Sequence, residues 1–283
     1  MVSSPSQRSL TFLLWLALAI AGHVLDTRAA GLTLAPTRIL MTGNQRVASV
    51  QLANKGDTPL TYRIFLRDKR MLESGRIVDA DDGPRRGERF AAELLRYAPR
   101  QVVVPPHGSQ TVRLMLRNPG DDRLSEGEYR THLVFRSLPP APTGDDEGHV
   151  RARAIIETSI PVIIRRGHFD AAISLTDARL DTIPGRDGRP RLNVTLERQG
   201  ERSVYGVLTV TWEHDGESSE IARMAGLAVY TPTPRRRIVV PLQVDSLSEL
   251  VTGDLIITYQ ETPDGGGDLS AQTRLRLTGG AEI

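Results

Sequence analysis

Six histidines are the side chains best suited to hold a transition metal or to move a proton: His23, His107, His132, His149, His168 and His214. None stands at a ligand spacing from another, and a chain without cysteine cannot build a thiolate zinc site. Asp79, Asp81 and Asp82 ahead of Gly83 approach a calcium loop. The glycine comes one place early, however, and the closing bidentate Glu is missing, so a solvated turn is the expectation. No nucleophile elbow or phosphate loop occurs. The chain is therefore expected to be no enzyme and to need neither metal nor cofactor. His132, close to Tyr129 and Phe135 on an alternating segment, is expected to be packed or at a sheet edge, and Trp212 to be core or half-buried.

The remaining chemistry is that of arginine. Lys55 and Lys69 are the two lysines, all other basic side chains are Arg, and the net charge is +2 with both signs interspersed along the chain. A guanidinium suits two-point contact with a carboxylate, whereas tracking phosphates would need clustered positive charge, so nucleic-acid binding is not expected. Residues 1–30 read as a signal peptide: Arg8, then an apolar run Leu10–Ile20 too short to span a bilayer, broken at Gly22. Cleavage after Ala21, Ala29 or Ala30 fits the small residues there, and an uncleaved anchor is the alternative. About 250 residues then remain, enough for one large domain or two of common size, with no further run able to insert stably in a membrane.

The elements that must position these side chains read as strands: short alternating segments bounded by Gly, Pro, Asn and Asp, with no sustained helical period. In the first half they fall near Leu32–Leu40, Val47–Ala53, Leu60–Arg67, Gln101–Val104, Thr111–Arg117, Tyr129–Ser137 and Ala152–Arg165. In the second half they fall near Ala172–Leu175, Leu192–Glu197, Val204–Glu213, Gly226–Tyr230, Arg237–Val244, Leu255–Gln260 and Thr273–Leu277. About seven strands in each half predict an all-β chain of two sandwiches, residues 31–166 and 167–283. Asp79–Glu88 is expected to be an exposed, mobile loop or hairpin tip, Pro139–Gly148 an exposed connection, and Asp264–Asp268 a hairpin turn.

Four segments carry a family likeness. They are Leu34-Ala35-Pro36-Thr37-Arg38-Ile39, then Ala48-Ser49-Val50-Gln51-Leu52-Ala53-Asn54, then Val102-Val103-Val104-Pro105-Pro106 followed by Gln110-Thr111-Val112-Arg113-Leu114, and last Gly127 to Phe135. In this order they resemble the amino-terminal domain of the periplasmic chaperones of the chaperone–usher pilus pathway. The second half lacks a comparable set, and its place rests on position and strand pattern. The resemblance implies two immunoglobulin-like domains at an angle with a cleft between them, a periplasmic location, fibre (pilus) subunits as partners and delivery to an outer-membrane usher.

It also implies a mechanism. Such chaperones lend a long edge strand to a subunit that lacks one, so backbone hydrogen bonds give affinity and alternate side chains fill the groove. The matching face here is Ala152, Ala154, Ile156, Thr158 and Ile160, and Arg38 matches the arginine that binds the subunit's terminal carboxylate. Pro161 stands where the family has a second cationic anchor, a lysine, and Arg165 and Arg166 are candidates to replace it. Ala152 and Ala154 are smaller than the bulky residues usual on that face, so the strand buries less apolar area. The alternative is a secreted immunoglobulin-like binding or structural protein without subunit capping.

Overall fold

The structure, a computed structural model, describes residues 31–117, 125–139, 154–181, 185, 188–250 and 252–278. The expected signal peptide, residue Ala152 and nearly all of Pro139–Gly148 lie outside the described residues. The first part of the chain forms β1 (Leu32–Ala35), β2 (Ile39–Thr42), β3 (Val47–Asn54), β4 (Leu60–Arg67), β5 (Lys69–Met71), β6 (Ile77–Asp79), β7 (Leu95–Ala98), β8 (Gln101–Val104), β9 (Ser109–Leu116), β10 (Gly127–Leu138) and β11 (Glu157–Arg166). Sheet β1-β3-β9-β7 faces sheet β2-β11-β10-β4-β8, and Val50, Leu52, Val112, Leu114, Leu133, Phe135 and Val162 close the core between them.

The single strand expected over Leu32–Leu40 is two strands. Pro36 cannot donate to a ladder, and at this point the chain leaves β3 and crosses to the other sheet, where β2 pairs in parallel with β11. Asn54 joins two of the recognised segments: its side-chain amide donates to the carbonyls of Val104 and Pro105, both at 3.2 Å, and to that of Thr58 at 2.8 Å.

The second part forms β12 (Ala171–Leu180), β13 (Arg191–Gly200), β14 (Val204–His214), β15 (Glu217–Val229), β16 (Arg235–Pro241), β17 (Gly253–Glu261) and β18 (Ser270–Leu277). Sheets β12-β13-β16 and β15-β14-β17-β18 enclose Leu192, Leu196, Leu208, Val210, Leu255, Ile257 and Tyr259. As the alternation in Val204–Glu213 predicts, Leu208 and Val210 are buried while Val207, Thr209 and Thr211 are partly exposed. β15 is much longer than the expected Gly226–Tyr230, because Asp215 and Gly216, both at positive φ, turn the chain straight back onto β14. The chain is thus two immunoglobulin-like β-sandwiches.

β10 is buried along most of its length because both its faces are covered. Leu133 and Phe135 enter the first core, whereas the opposite face of the same sheet lies against the second sandwich. There Leu40, Met71 and Ile163 of the first part meet Tyr205, Ala228 and Tyr230 of the second. The hairpin β5–β6 reaches across as well: the Arg237 amide donates to the Glu73 carbonyl at 2.7 Å, the Thr233 hydroxyl to the Met71 carbonyl at 3.0 Å, and Arg235 pairs with the Glu73 carboxylate at 3.0 Å.

Candidate functional site

Arg38 follows the chain crossing at Pro36 and projects between the two sandwiches. Its guanidinium sits over two aromatic rings, 4.7 Å from the centroid of Tyr205 and 5.6 Å from that of Tyr230. Nε donates to the Asp264 carbonyl at 3.2 Å and Nη1 to the Tyr230 hydroxyl at 3.3 Å. Nη2 is buried with no hydrogen-bond partner among the described residues. An unmet buried donor costs about 1–3 kcal/mol, a deficit that an incoming acceptor removes. Arg38 also lines a groove of 520 Å³ bounded by Pro36 and Leu40 on one side and Pro263 and Asp264 on the other. The turn expected at Asp264–Asp268 is therefore part of the site.

Arg165 is not available as a second anchor. Its guanidinium holds the Glu128 carboxylate at 2.8 Å and reaches the carbonyls of Ser203 and Gly265. Arg166 is only partly buried. Glu128 in turn accepts from the Ser203 amide, at 3.1 and 3.0 Å to its two oxygens, and from the Thr231 hydroxyl at 3.3 Å. These groups fasten one sandwich to the other. Arg202 and Glu261 form a second buried pair nearby, at 2.6 and 3.0 Å.

Two further basic side chains face this region from β10. Arg130 has its guanidinium carbon 4.3 Å from the Tyr230 centroid, and its Nε and Nη1 are buried without hydrogen-bond partners among the described residues. Burial pulls its pKa below the ordinary arginine value, and the charge of Arg38 adds to this. His132 is packed, as its sequence context suggests, with its pKa pushed down to about 3 by burial first and then by Arg130 and Lys69. Its ring is neutral at physiological pH. Glu128 and Arg130 lie in the recognised segment Gly127 to Phe135 without being singled out there, and Tyr205 and Tyr230 carry no local motif that sequence reasoning could have used.

The strand expected over Ala152–Arg165 is shorter, β11 starting at Glu157, although the Ile156 carbonyl still accepts from the Ser137 amide at 2.9 Å. Ile155 and Ile156 are exposed, 62% and 52%, and Ala154 and Thr158 are exposed too. Ile160 is buried in the core of its own sandwich, so the open part of the expected face ends at Thr158. On its outer edge β11 is covered by β2 only from Val162 to Arg165, and from Glu157 to Pro161 that edge has no strand partner among the described residues. Because Ile156 bonds inward to Ser137, the two-residue alternation of the ladder turns the backbone groups of Glu157, Ser159 and Pro161 outward. Pro161 has no amide hydrogen, which sets the limit of donors on this edge.

The expectation of a mobile Asp79–Glu88 is corrected. Arg70, buried at the start of the hairpin, takes Glu88 with Nε and Nη2, both at 2.9 Å, Asp82 with Nη1 at 2.5 Å and the Gly83 carbonyl at 2.8 Å. Asp79 is bound by Lys69 and Arg67. Two of the aspartates that approached a calcium loop, Asp79 and Asp82, are thus engaged by basic side chains, and these contacts hold their carboxyls below the usual range.

Several known structures are similar to this chain. They include the CupB2 chaperone of Pseudomonas aeruginosa, at 13% identity and TM-score 0.43 over 86% of this chain and all of that one. The CsuC–CsuE chaperone–tip adhesion subunit complex of Acinetobacter baumannii gives 12% and 0.46 over 88% and 99%. The Salmonella enterica SafA pilin–SafB chaperone complex gives 12% and 0.44 over 88% and 98%. These structural neighbours are pilus chaperones. No family model and no curated protein matches the sequence.

Proposed function

We propose that the chain, with domains at 31–166 and 167–283 behind a signal peptide at 1–30, is a periplasmic chaperone that caps fibre subunits by lending them an edge strand. The observation that carries this reading is the open edge of β11. It leads from exposed Ile155 and Ile156 past Glu157 and Ser159 to the crevice where Arg38 keeps an unpartnered donor. A subunit strand laid along this edge gains backbone hydrogen bonds, and Ala154, Ile156 and Thr158 enter its groove. Its terminal carboxylate would reach Arg38, and that contact sets the register of the pairing. Delivery to an outer-membrane usher completes the cycle.

The burial of Ile160 in its own core favours a second reading, an immunoglobulin-like binding protein without capping activity, because it shortens the donor face. Affinity pull-down of the tagged mature protein from the periplasm of its native host separates the two. Capping predicts a small β-rich subunit that co-purifies and is lost with Ile156→Asp. Recovery of the protein alone while fibre genes are expressed overturns it.

A further inference from the structure

Two guanidinium groups, those of Arg38 and Arg130, approach the same Tyr230 ring in the crevice between the sandwiches. Sharing one ring places their carbons within about 10 Å of each other. Both side chains are more than nine-tenths buried, and three of their nitrogens, Nη2 of Arg38 and Nε and Nη1 of Arg130, have no hydrogen-bond partner among the described residues. The nearby acids are committed elsewhere: Glu128 to Arg165 and Ser203, Glu88 to Arg70, Glu261 to Arg202. Glu128 and Glu88 act on Arg130 from a distance, but no carboxylate among the described residues bonds to either guanidinium, and an anion from outside would supply that contact.

The ladder register shows how Arg130 reaches the same space as Arg38. Arg130 pairs with Ile163 and His132 with Pro161, so Arg130 is the diagonal neighbour of Pro161 on one sheet face. His132 beside it is neutral and brings no competing charge. We propose that Arg130 is the second cation of a two-arginine carboxylate site with Arg38, its side chain standing over Pro161 and supplying the charge that residue lacks. The ligand class is a free carboxylate such as a polypeptide terminus: a planar anion with two oxygens matches two forks, one from each arginine. This rests on the chaperone reading only for the source of that carboxylate.

The test follows the side-chain Nε–Hε NMR signals of Arg38 and Arg130 in the mature protein, assigned through Arg38→Met and Arg130→Met, while N-acetylglycine is titrated in. N-acetylglycinamide and chloride serve as controls. Both signals should move along one saturable curve with the acid and stay still with the amide, and Arg130→Met should weaken acid binding at least about tenfold while Arg130→Lys retains part of it. The proposal is overturned if the Arg130 signal does not respond while that of Arg38 does, or if chloride moves both alike, which means an adventitious ion only. Subunit capture is scored separately. Capture that persists undiminished in Arg130→Met removes this inference and leaves the chaperone function, whereas two-arginine acid binding without subunit capture by the wild type does the reverse.

Discussion

The Glu128 carboxylate on β10 and the Ser203 amide before β14 meet across the two sandwiches, 3.1 and 3.0 Å from one another through its two oxygens. The same carboxylate neutralises Arg165. Removing it strands a buried cation and a backbone donor together. Glu128→Ala is expected to cost about 3–5 kcal/mol in chemical denaturation, and adding Arg165→Met should recover part of the loss because the orphaned charge goes with it. A loss under 1 kcal/mol would show that the pair is not what fastens the sandwiches.

Arg38 behaves differently, since its charge has no acid to leave behind. Arg38→Ala should keep the circular dichroism spectrum and melting temperature close to wild type while subunit affinity falls about 10- to 100-fold, the worth of a charge-assisted contact. Unchanged subunit yield removes Arg38 from the mechanism.

The neutral, buried ring of His132 makes stability depend on pH in a definite direction. In the unfolded chain it titrates near 6.5, in the folded protein at about 3, so below neutrality the unfolded state binds the extra proton. Stability therefore falls as pH drops through this window, by about 2–3 kcal/mol from this residue between about pH 6.5 and about pH 4.5. Urea midpoints at the two pH values should show a smaller drop for His132→Leu than for wild type, and equal drops in both would contradict the assignment.

Arg70 is the pin that holds the segment from Ala80 to Glu88 down. With Arg70→Met that segment loses both carboxylate contacts and the Gly83 carbonyl contact, and trypsin should cut after Arg85 or Arg86 at least about tenfold faster than in wild type. Equal cutting rates would mean the segment is held by other contacts.

The strand pattern of both sandwiches was legible because burial on one face writes a period of two into residues such as Leu208, Val210 and Trp212. Arg38 was legible through the Thr-Arg context of its segment. Boundaries were less so. Pro36 reads as part of a strand but marks the crossing between sheets, and the strand expected from Gly226 omits most of β15, which starts right after the Asp215-Gly216 turn. The rest of the crevice was out of reach for a physical reason. Glu128 and Arg130 on β10 lie some 75 to 100 residues from Tyr205 and Tyr230, and they meet only after two sandwiches dock. A contact within the first sandwich likewise fixes the charged, turn-rich stretch, since Arg70 precedes it by some ten residues and no short-range pattern couples them.

The turn at Asp264–Gly266 offers its carbonyls to Arg38 and Arg165 of the other sandwich, and a Cβ added at Gly266, which has φ +77, would stand 2.7 Å from Leu40 Cδ2 and 2.8 Å from Arg165 Nη1. Recombination between chains of this architecture is constrained accordingly. A second sandwich transplanted from elsewhere must bring a loop of this length with glycine at this point, or the borrowed half will fold by itself and yet hold the first half at the wrong angle. The two sandwiches and the loop that joins their surfaces therefore have to match as a set.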